Sequence, residues 1–497
     1  MPYENNNANV YNRSKIEFQD KSPFSRYLLN SVYQKDGEVE VYGKILAGEE
    51  GRIEQISILS NEMIACDTAF FNGVEKIFGD VTRESYHPYF CELFLDAKIS
   101  KKLLEGLTEY VGKWCKIKLA FGNAIDKSAI KGTIVFCASP IERIWCGVIF
   151  SYALKYSDDV PSILDKGIKE CKNFEEYINR INKRKKTFHQ YNILPCIKNI
   201  EEISGRVYNA GQGNFILFKV NNTAELLFDV GESRLPKDGL SENSYIRENE
   251  TEIIALEPQY VIISHWDIDH ILGVYKFNDR LDYSFYRDSL WIAPDITELG
   301  NEVSVSAKRL CAYLFHENSI TLIKNPAGCF CTIGDENSSF IKLWQGDCQA
   351  DPGTKANNIG LIIEAKIRTN EKFQKLLFSG DCSYWRMSNK IFDEKYDFIV
   401  TAHHGAESAV RKDFEFKAPD ATKGARAIIC TGCNDYGHPH IEHLTELKYK
   451  EFDIYYTSAC QYIGFSVSNE EKIKINRYPN KKEQNKIYNA NFHSYGI

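Results

Sequence analysis

The sequence of 497 residues predicts a mixed α/β (α+β) fold, and three features support this prediction. Short apolar runs rich in β-branched residues, such as Tyr260–Ile263, are typical of buried strands. Several of these runs end directly in Asp or His, where a loop can carry polar groups on a rigid base. Between residues 160 and 181, apolar side chains recur at helical spacing instead. Strands and helices are therefore both expected, with the candidate functional groups at strand ends.

Composition and charge are those of a globular chain with no strong bias toward a polyanionic partner. Hydrophobic residues make up 43% and aromatic residues 13%, and the length suits two or three domains. The net charge of −7 does not favour non-specific binding to duplex DNA overall, although bound metal ions would add positive charge locally. Fifteen cysteines without a regular spacing favour a reducing compartment. With no signal-peptide pattern and no run of about 18 apolar residues, we expect a cytoplasmic protein without a membrane segment.

Four regions follow one another along the chain. Residues 1–25 are polar and are predicted to form a mobile tail, and residues 26–157 are predicted to form a β-rich accessory domain. Residues 158–200 are predicted to be a helical linker with a basic cluster at 183–186. Residues 201–497 hold the strands that end in Asp and His, with insertions and crossover segments expected at 236–256 and 278–357. The strand-like runs of the accessory domain are Glu38–Leu46, Ile53–Leu59, Lys116–Phe121 and Gly132–Phe136.

The loop after the predicted strand Tyr260–Ile263 holds two imidazoles and two carboxylates within six residues. Carboxylates that leave a buried strand must be paired, coordinated or neutralised, so a metal site explains them better than an ordinary polar turn does. The four side chains are those of His265, Asp267, Asp269 and His270.

Other predicted strands deliver the same kinds of side chain at their carboxyl ends. Two-metal hydrolytic sites need such groups, because carboxylates and imidazoles hold two ions about 3.5–4 Å apart and one carboxylate bridges them. In chain order, the segments are Glu225–Gly231 with Asp229, Lys375–Asp381, Tyr396–Ala402 followed by His403 and His404, and Ala425–Cys430 followed by His438 and His440.

These ordered motifs resemble the metallo-β-lactamase fold superfamily, whose signature is His-x-His-x-Asp-His, then a lone Asp and a lone His. The closer likeness is to the hydrolase domain of ComEC-type competence proteins, in which Asp replaces the second His, as Asp267 does here. That branch also shares the Gly211–Gly213 turn, the Gly380–Asp381 pair and the Tyr-Gly-His-Pro-His run that ends at His440. The resemblance implies a four-layer αββα sandwich over 201–497, preceded by the accessory domain and the linker.

The resemblance also implies which residues bind metal. Replacing one imidazole by a carboxylate makes the first site richer in oxygen, which suits Mn²⁺ or Mg²⁺, whereas Zn²⁺ prefers nitrogen and sulfur. We therefore expect two divalent ions, Mn²⁺ or Zn²⁺, with Mn²⁺ slightly preferred in the first site and Mg²⁺ also compatible. The implied ligands are His265 and Asp267 for the first ion, Asp269, His270 and one of His403 or His404 (with a slight preference for His403) for the second, and Asp381 as the bridge.

Further residues are implied to act around the ions. Asp269 and Asp381 are expected to be catalytic, together with His438, which either protonates the leaving group, contacts phosphate, or only stabilises its turn. A carboxylate behind the site would orient a ligand, and two amides stand where many superfamily members place a further His. Asn214 departs from the Asp that commonly follows the glycine turn. The residues expected to support the site or contact substrate are Asp229, Asn214, Asn357, Asn358 and His440.

The resemblance and the residues together imply a metal-dependent hydrolase, most favourably a phosphodiesterase or nuclease that cleaves DNA through a hydroxide activated by two metals. Two alternatives stay open, because this fold hosts many chemistries: a hydrolase of a small phosphodiester, cyclic nucleotide or ester, and a catalytically weak metal-binding partner module. We expect a nucleic acid substrate and a regulatory protein partner bound through 26–157. Such control is consistent with a regulated defence effector.

Overall fold

The computed structural model describes residues 38–150 and 199–478, except for gaps at 47–54, 60, 74, 79–80, 83–89, 96–109, 122–124, 126–128, 138–140, 223, 233–255, 275–287, 297–298, 300–301, 318, 325–326, 348–354 and 433–436. The predicted mobile tail, the basic cluster and the predicted helical linker up to residue 198 lie outside the described residues. The chain divides into two compact units, Met1–Arg180 and Ile181–Ile497. Among the helices that the structure describes, none is long and apolar enough to cross a membrane.

The first unit is built on a closed barrel of antiparallel strands, which confirms the predicted β-rich region at the amino-terminal end. Its elements are β1 (Glu38–Ile45), β2 (Gln55–Leu59), helix α1 (Asn61–Phe71), β3 (Lys76–Phe78), β4 (Val81–Thr82), β5 (Phe90–Leu95), β6 (Trp114–Ala120), β7 (Ile130–Cys137) and β8 (Ile141–Phe150).

The barrel order is β1-β2-β5-β7-β8-β6, and β3 pairs with β4 outside it. Side chains such as Ile56 and Ile117 alternate into the barrel, where they are fully buried. Gly43 on β1 is required by this packing, since a Cβ atom there would lie 2.0 Å from Cδ1 of Ile117. Four barrel strands fall on the predicted runs, whereas β5, β8 and α1 were not predicted.

The second unit contains two stacked sheets. In the first sheet, β11 to β14 run parallel and the other strands antiparallel, in the order β14-β13-β12-β11-β10-β9-β24-β25. Its strands are β9 (Glu202–Tyr208), β10 (Phe215–Val220), β11 (Ala224–Val230), β12 (Tyr260–Ile262), β13 (Leu290–Pro294), β14 (Ile320–Ile323), β24 (Tyr462–Ser468) and β25 (Lys474–Tyr478).

The second sheet has the order β15-β16-β17-β18-β19-β22-β23, with β18, β19, β22 and β23 parallel. Its strands are β15 (Gly328–Gly334), β16 (Phe340–Gln345), β17 (Leu361–Arg368), β18 (Phe373–Phe378), β19 (Tyr396–Val400), β22 (Ala421–Ile429) and β23 (Asp453–Tyr456), and β20 (Arg411–Lys412) with β21 (Glu415–Phe416) forms a separate hairpin.

Helices lie outside the two sheets, and an apolar core lies between them. Phe218 of β10 contacts Phe378 of β18 across the core, with ring centroids 4.3 Å apart. Burying each such side chain contributes roughly 1.5–3 kcal/mol. The α/β sandwich confirms the predicted fold class. The remaining helices are α2 (Ile268–Ile271), α3 (Val305–His316), α4 (Lys355–Asn358), α5 (Glu407–Val410) and α6 (Ile441–Tyr449), with short 3₁₀ turns at Tyr384–Arg386, Asn389–Phe392, Ala402–Gly405 and Thr457–Ala459.

The interpretation of 278–357 as insertions and crossover segments is wrong where this segment forms strands of the two sheets. This segment supplies β13 and β14 to the first sheet and β15 and β16 to the second. β13 is a five-residue apolar run, Leu290–Pro294, whereas β15 lies at a sheet edge and keeps most of its side chains partly exposed. An edge strand of that kind has no clear alternation for a sequence pattern to detect. Most of 236–256 lies outside the described residues.

The parallel strands place their carboxyl ends at one edge of the sandwich. Asp229 lies near the end of β11 in the first sheet, and the ends of β12 in that sheet and of β18, β19 and β22 in the second sheet are followed by the other predicted Asp and His residues. The backbone N–H of Leu361 donates to the carbonyl of Ser264 at 2.8 Å, and that of His403 donates to the carbonyl of Gly380 at 3.0 Å. These bonds join the loops of both sheets at the site.

Candidate metal centre

The loop after β12 and the helix α2 bring two imidazoles inward. His265 and His270 are both fully buried, and their rings lie 4.0 Å apart between centroids. Asp267 is the N-cap residue of α2, and its side chain stays 39% exposed. Its Oδ2 atom lies 3.4 Å from Nε2 of His265. The short strand and the helix start therefore turn two imidazoles and one carboxylate toward the same point.

Asp381, in the loop after β18, lies at the centre of the site. Its Oδ1 atom is 3.2 Å from Nε2 of His270 and 3.6 Å from Nε2 of His404. Its Oδ2 atom is 3.5 Å from Nε2 of His403 and 3.8 Å from Nε2 of His265. One buried carboxylate thus faces imidazoles from two loops of separate sheets, which is the geometry that a bridging ligand requires.

Two overlapping sets of ligand atoms surround this carboxylate, each with its atoms within 4.8 Å of one another. His404 completes the second set, because its Nε2 atom lies 3.5 Å from Oδ2 of Asp269. The geometry therefore favours His404, which faces both Asp269 and Asp381, over the slightly preferred His403, whose Nε2 atom faces Asp381. The two sets are His265, His270 and Asp381, and Asp269, His270 and His404.

Behind the imidazoles, Asp229 holds the loop in place. Its Oδ1 atom accepts from the backbone N–H of Ser264 at 2.6 Å, and its Oδ2 atom accepts from the Ser264 hydroxyl at 2.7 Å. The same Oδ2 atom lies 2.8 Å from Nδ1 of His270. A carboxylate in this position keeps the proton on Nδ1 and leaves Nε2 with a free lone pair for a metal.

The backbone of the site is held in an unusual conformation. Asp229, His403 and His404 have φ angles of 58°, 47° and 51°, in the left-handed region that side chains other than Gly rarely adopt. Each such residue costs roughly 1–3 kcal/mol, so the surrounding structure must impose it. One such restraint is the contact of 2.9 Å between Nδ1 of His404 and the carbonyl of Cys430. Strain concentrated in this way is typical of a functional site.

The charges of the site support one another. Burial raises the pKa of a carboxyl group, yet the imidazoles of His270 and His404 hold the pKa of Asp381 well below its usual range. Burial also raises the pKa of the Asp269 carboxyl group, but His404 and His270 lower it more, so that the pKa is below its usual value. Burial lowers the pKa of an imidazole, but Asp381 and its neighbours raise the pKa of His404 and raise that of His270 further. The charged forms of these four side chains therefore stabilise one another.

Two predicted histidines, His438 and His440, lie outside the two ligand sets around Asp381. The ring of His438 lies 5.5 Å from that of His403. Burial, together with His403 and His404, lowers the pKa of His438 to about 3. His440 is the N-cap residue of α6 and contacts Glu442. Of the two histidines, only His438 adjoins a residue that faces Asp381.

The three asparagines predicted to support the site are all buried. Oδ1 of Asn358 accepts from the backbone N–H of Ser383 at 3.4 Å, and Asn357 is buried in the same short helix, α4. Asn358 therefore braces the segment that follows Asp381. Asn214 is buried at the start of β10, and within the described residues its side-chain amide has no hydrogen-bond partner.

Sequence reasoning missed two residues that organise the site. The hydroxyl of Ser264 lies 3.1 Å from Nδ1 of His265 and 3.3 Å from Nδ1 of His270, in addition to its bond with Asp229. Its position directly before the motif was the available signal. His443 is buried in α6, and its Nδ1 atom lies 2.8 Å from the carbonyl of Ala406, just after the His403–His404 turn. Helical spacing alone gives no signal for that contact.

The donor set fits divalent metal ions. Within the described residues, four buried ligand atoms that face the site have no hydrogen-bond partner. Buried polar atoms of this kind are costly unless something binds them. Imidazole nitrogens and carboxylate oxygens are suitable ligands for Zn²⁺ and Mn²⁺. The four atoms are Nε2 of His265, His270 and His404, and Oδ1 of Asp381.

Comparison with known proteins identifies the class of this domain. The family model described as the Metallo-beta-lactamase superfamily matches residues 208–341, a segment that includes Asp229 and the Ser264–His270 loop. The chain therefore carries a metallo-β-lactamase superfamily domain, of the class of metal-dependent hydrolases. A search of curated proteins found no match.

Solved structures similar to this chain include three with sequence identities of 8–10%. A B3 metallo-β-lactamase with an active-site glutamic acid is 8% identical, covering 43% of this chain and 80% of that chain (TM-score 0.26). A diphosphatase from the PhnP family is 9% identical, covering 52% and 86% (TM-score 0.27). Unliganded PDE1 from yeast is 10% identical, covering 52% and 97% (TM-score 0.28).

Proposed function

We propose that this chain is a metal-dependent phosphodiesterase that cleaves DNA. The observation that carries the proposal is the position of Asp381, whose two carboxylate oxygens face four imidazole nitrogens within 4 Å. A single carboxylate shared in this way suits a pair of ions better than a single ion.

The residues divide into two ligand sets around that carboxylate. His265 and Asp267 would hold the first ion together with Asp381, and Asp269, His270 and His404 would hold the second. When bound, the two ions supply Lewis acidity and lower the pKa of water enough to provide a nucleophile at neutral pH. We assign Mn²⁺ to the first site because of its carboxylate oxygens, with Zn²⁺ as the competing ion.

Residues outside the two ligand sets would handle the substrate. His438, next to His403, is positioned to contact a phosphate oxygen or the leaving group. Asp229 and Ser264 fix the orientation of His270 and keep its Nε2 atom turned toward Asp381. A DNA substrate is supported by the resemblance to the hydrolase domain of ComEC-type proteins, which rests on the motifs around Asp267 and His440.

The proposal is tested by incubating the metal-loaded full chain with linear, circular and single-stranded DNA, and in parallel with a small chromogenic phosphodiester. We expect DNA degradation that depends on Mn²⁺ and is lost in Asp269→Ala but retained in the exposed-site control Asp420→Ala. Cleavage of the small phosphodiester alone would make the chain a small-molecule hydrolase. Bound metal without turnover of any substrate would refute the catalytic role and leave a metal-binding module.

A further inference from the structure

A third cluster of potential ligands lies beside the two sets around Asp381. It consists of Glu407 at the start of α5, His440 at the start of α6 and Glu442 one residue into that helix. One ligand atom from each residue lies within 4.8 Å of the other two. None of the three belongs to either of the two sets around Asp381, so this cluster is a separate arrangement.

In the third cluster, Nδ1 of His440 and Oε2 of Glu442 are shielded from solvent and contact each other. Oε2 of Glu407 lies 3.6 Å from the same Nδ1 atom, while its Oε1 atom accepts from Arg411 at 2.5 Å. Arg411 therefore fixes Glu407 in place and leaves one carboxylate oxygen facing the cluster.

The cluster adjoins the metal centre through the backbone. The N–H of His440 donates to the carbonyl of Gly405 at 2.9 Å, one residue after His404. Glu407 follows His404 by three residues, which limits their Cα–Cα distance to about 11 Å. The side chains of the cluster as a whole are 32–39% exposed, although Nδ1 of His440 and Oε2 of Glu442 are themselves shielded from solvent.

We propose that Glu407, His440 and Glu442 bind an additional divalent cation of the Mn²⁺ or Mg²⁺ type. Two carboxylates and one imidazole form an oxygen-rich set, and three protein ligands leave positions for water or a phosphate oxygen. On the proposed function, this cation offsets two negative charges beside the centre and attracts a neighbouring phosphate of the DNA strand.

Metal stoichiometry tests the proposal without any use of catalysis. We expect the full chain, equilibrated with about 1 mM Mn²⁺ and analysed by equilibrium dialysis, to hold three ions. Glu442→Gln and His440→Gln are each expected to hold two. Glu446→Gln, on the next turn of the same helix, is the matched control and is expected to keep three. Thermal unfolding of each variant shows that the fold is retained.

The outcomes separate this proposal from the proposed function. The additional site would be overturned if the wild-type chain held two ions, or if Glu442→Gln and His440→Gln each still held three. Either result would indicate that a His440 imidazolium pairs with the two glutamates instead. Three ions with no hydrolysis would refute the phosphodiesterase and leave the site standing. With hydrolysis present, we expect Glu442→Gln to raise the KM for DNA at least fivefold.

Discussion

Replacing Asp229 by Asn removes one charge and leaves the shape of the side chain almost unchanged. Asn tolerates the left-handed φ of 58° at this position, so the backbone is expected to hold. If its carbonyl oxygen keeps the bond to the N–H of Ser264, its NH₂ group faces Nδ1 of His270, which Asp229 contacts at 2.8 Å. Nδ1 must then accept, and the proton moves to Nε2, the atom that lies 3.2 Å from Asp381. A protonated Nε2 cannot bind metal.

The magnitude of this effect follows from the chemistry of supporting carboxylates. Loss of such a partner weakens metal binding roughly 10- to 100-fold, which corresponds to about 1.4–2.7 kcal/mol. The assay is competition for Mn²⁺ with a chelator of known affinity. Asp397→Asn is the matched control, because Asp397 is also buried and accepts from a backbone N–H, that of Lys375, at 2.9 Å. Equal Mn²⁺ affinity in Asp229→Asn and the wild type, with the fold intact, would refute the reasoning.

Three further predictions concern the same site. Burial lowers the pKa of His270 and His404, but neighbouring carboxylates raise it above the usual value, so Mn²⁺ must displace protons when it binds. The affinity for Mn²⁺ should therefore fall about tenfold per displaced proton for each pH unit below neutrality. Calorimetry in two buffers should show the release of protons on Mn²⁺ binding, and no release at pH 7 would contradict this prediction. His404→Ala should weaken Mn²⁺ binding at least about tenfold more than His403→Ala in the chelator assay, since His404 faces two carboxylates; the reverse order would be evidence against the assignment. Gly405→Ala should lower the free energy of unfolding by roughly 2–4 kcal/mol and Gly424→Ala by about 1–2 kcal/mol. Both glycines have positive φ, but the added Cβ atom would lie 2.7 Å from Cβ of Pro439 at Gly405 and would meet no atom within 4 Å at Gly424. Equal losses of unfolding free energy in denaturant titrations would contradict this prediction.

The site loops were predictable because charged or titratable side chains directly follow apolar runs that form buried strands. Asp229, the His265–His270 loop and Asp381 each follow an apolar run directly, and such runs have few alternatives to a buried strand. The parallel strand pairs then bring their carboxyl ends together, which the chain order of the motifs already suggested. Local pattern was therefore enough to predict the ends of the strands and the residues that leave them.

The choice between His403 and His404 depended on backbone geometry that no pattern contains. Both residues have positive φ, so neither follows the alternation of β19, and the contact of His404 with Cys430 determines which ring faces Asp269. The segment with β13 to β16 was misread for a related reason. Strands in the interior and at the edge of a sheet differ in burial, and the edge strand β15 lacks the pattern of a buried one.

The central claim is that Asp381 bridges a pair of cations. Anomalous diffraction from crystals of the full chain grown with Mn²⁺ tests it most directly. We expect two peaks about 3.5–4 Å apart on either side of the Asp381 carboxylate, one near His265 and the other near His404 and Asp269. A single peak remote from Asp381, or no manganese at all beside side chains that keep their positions, would contradict the account.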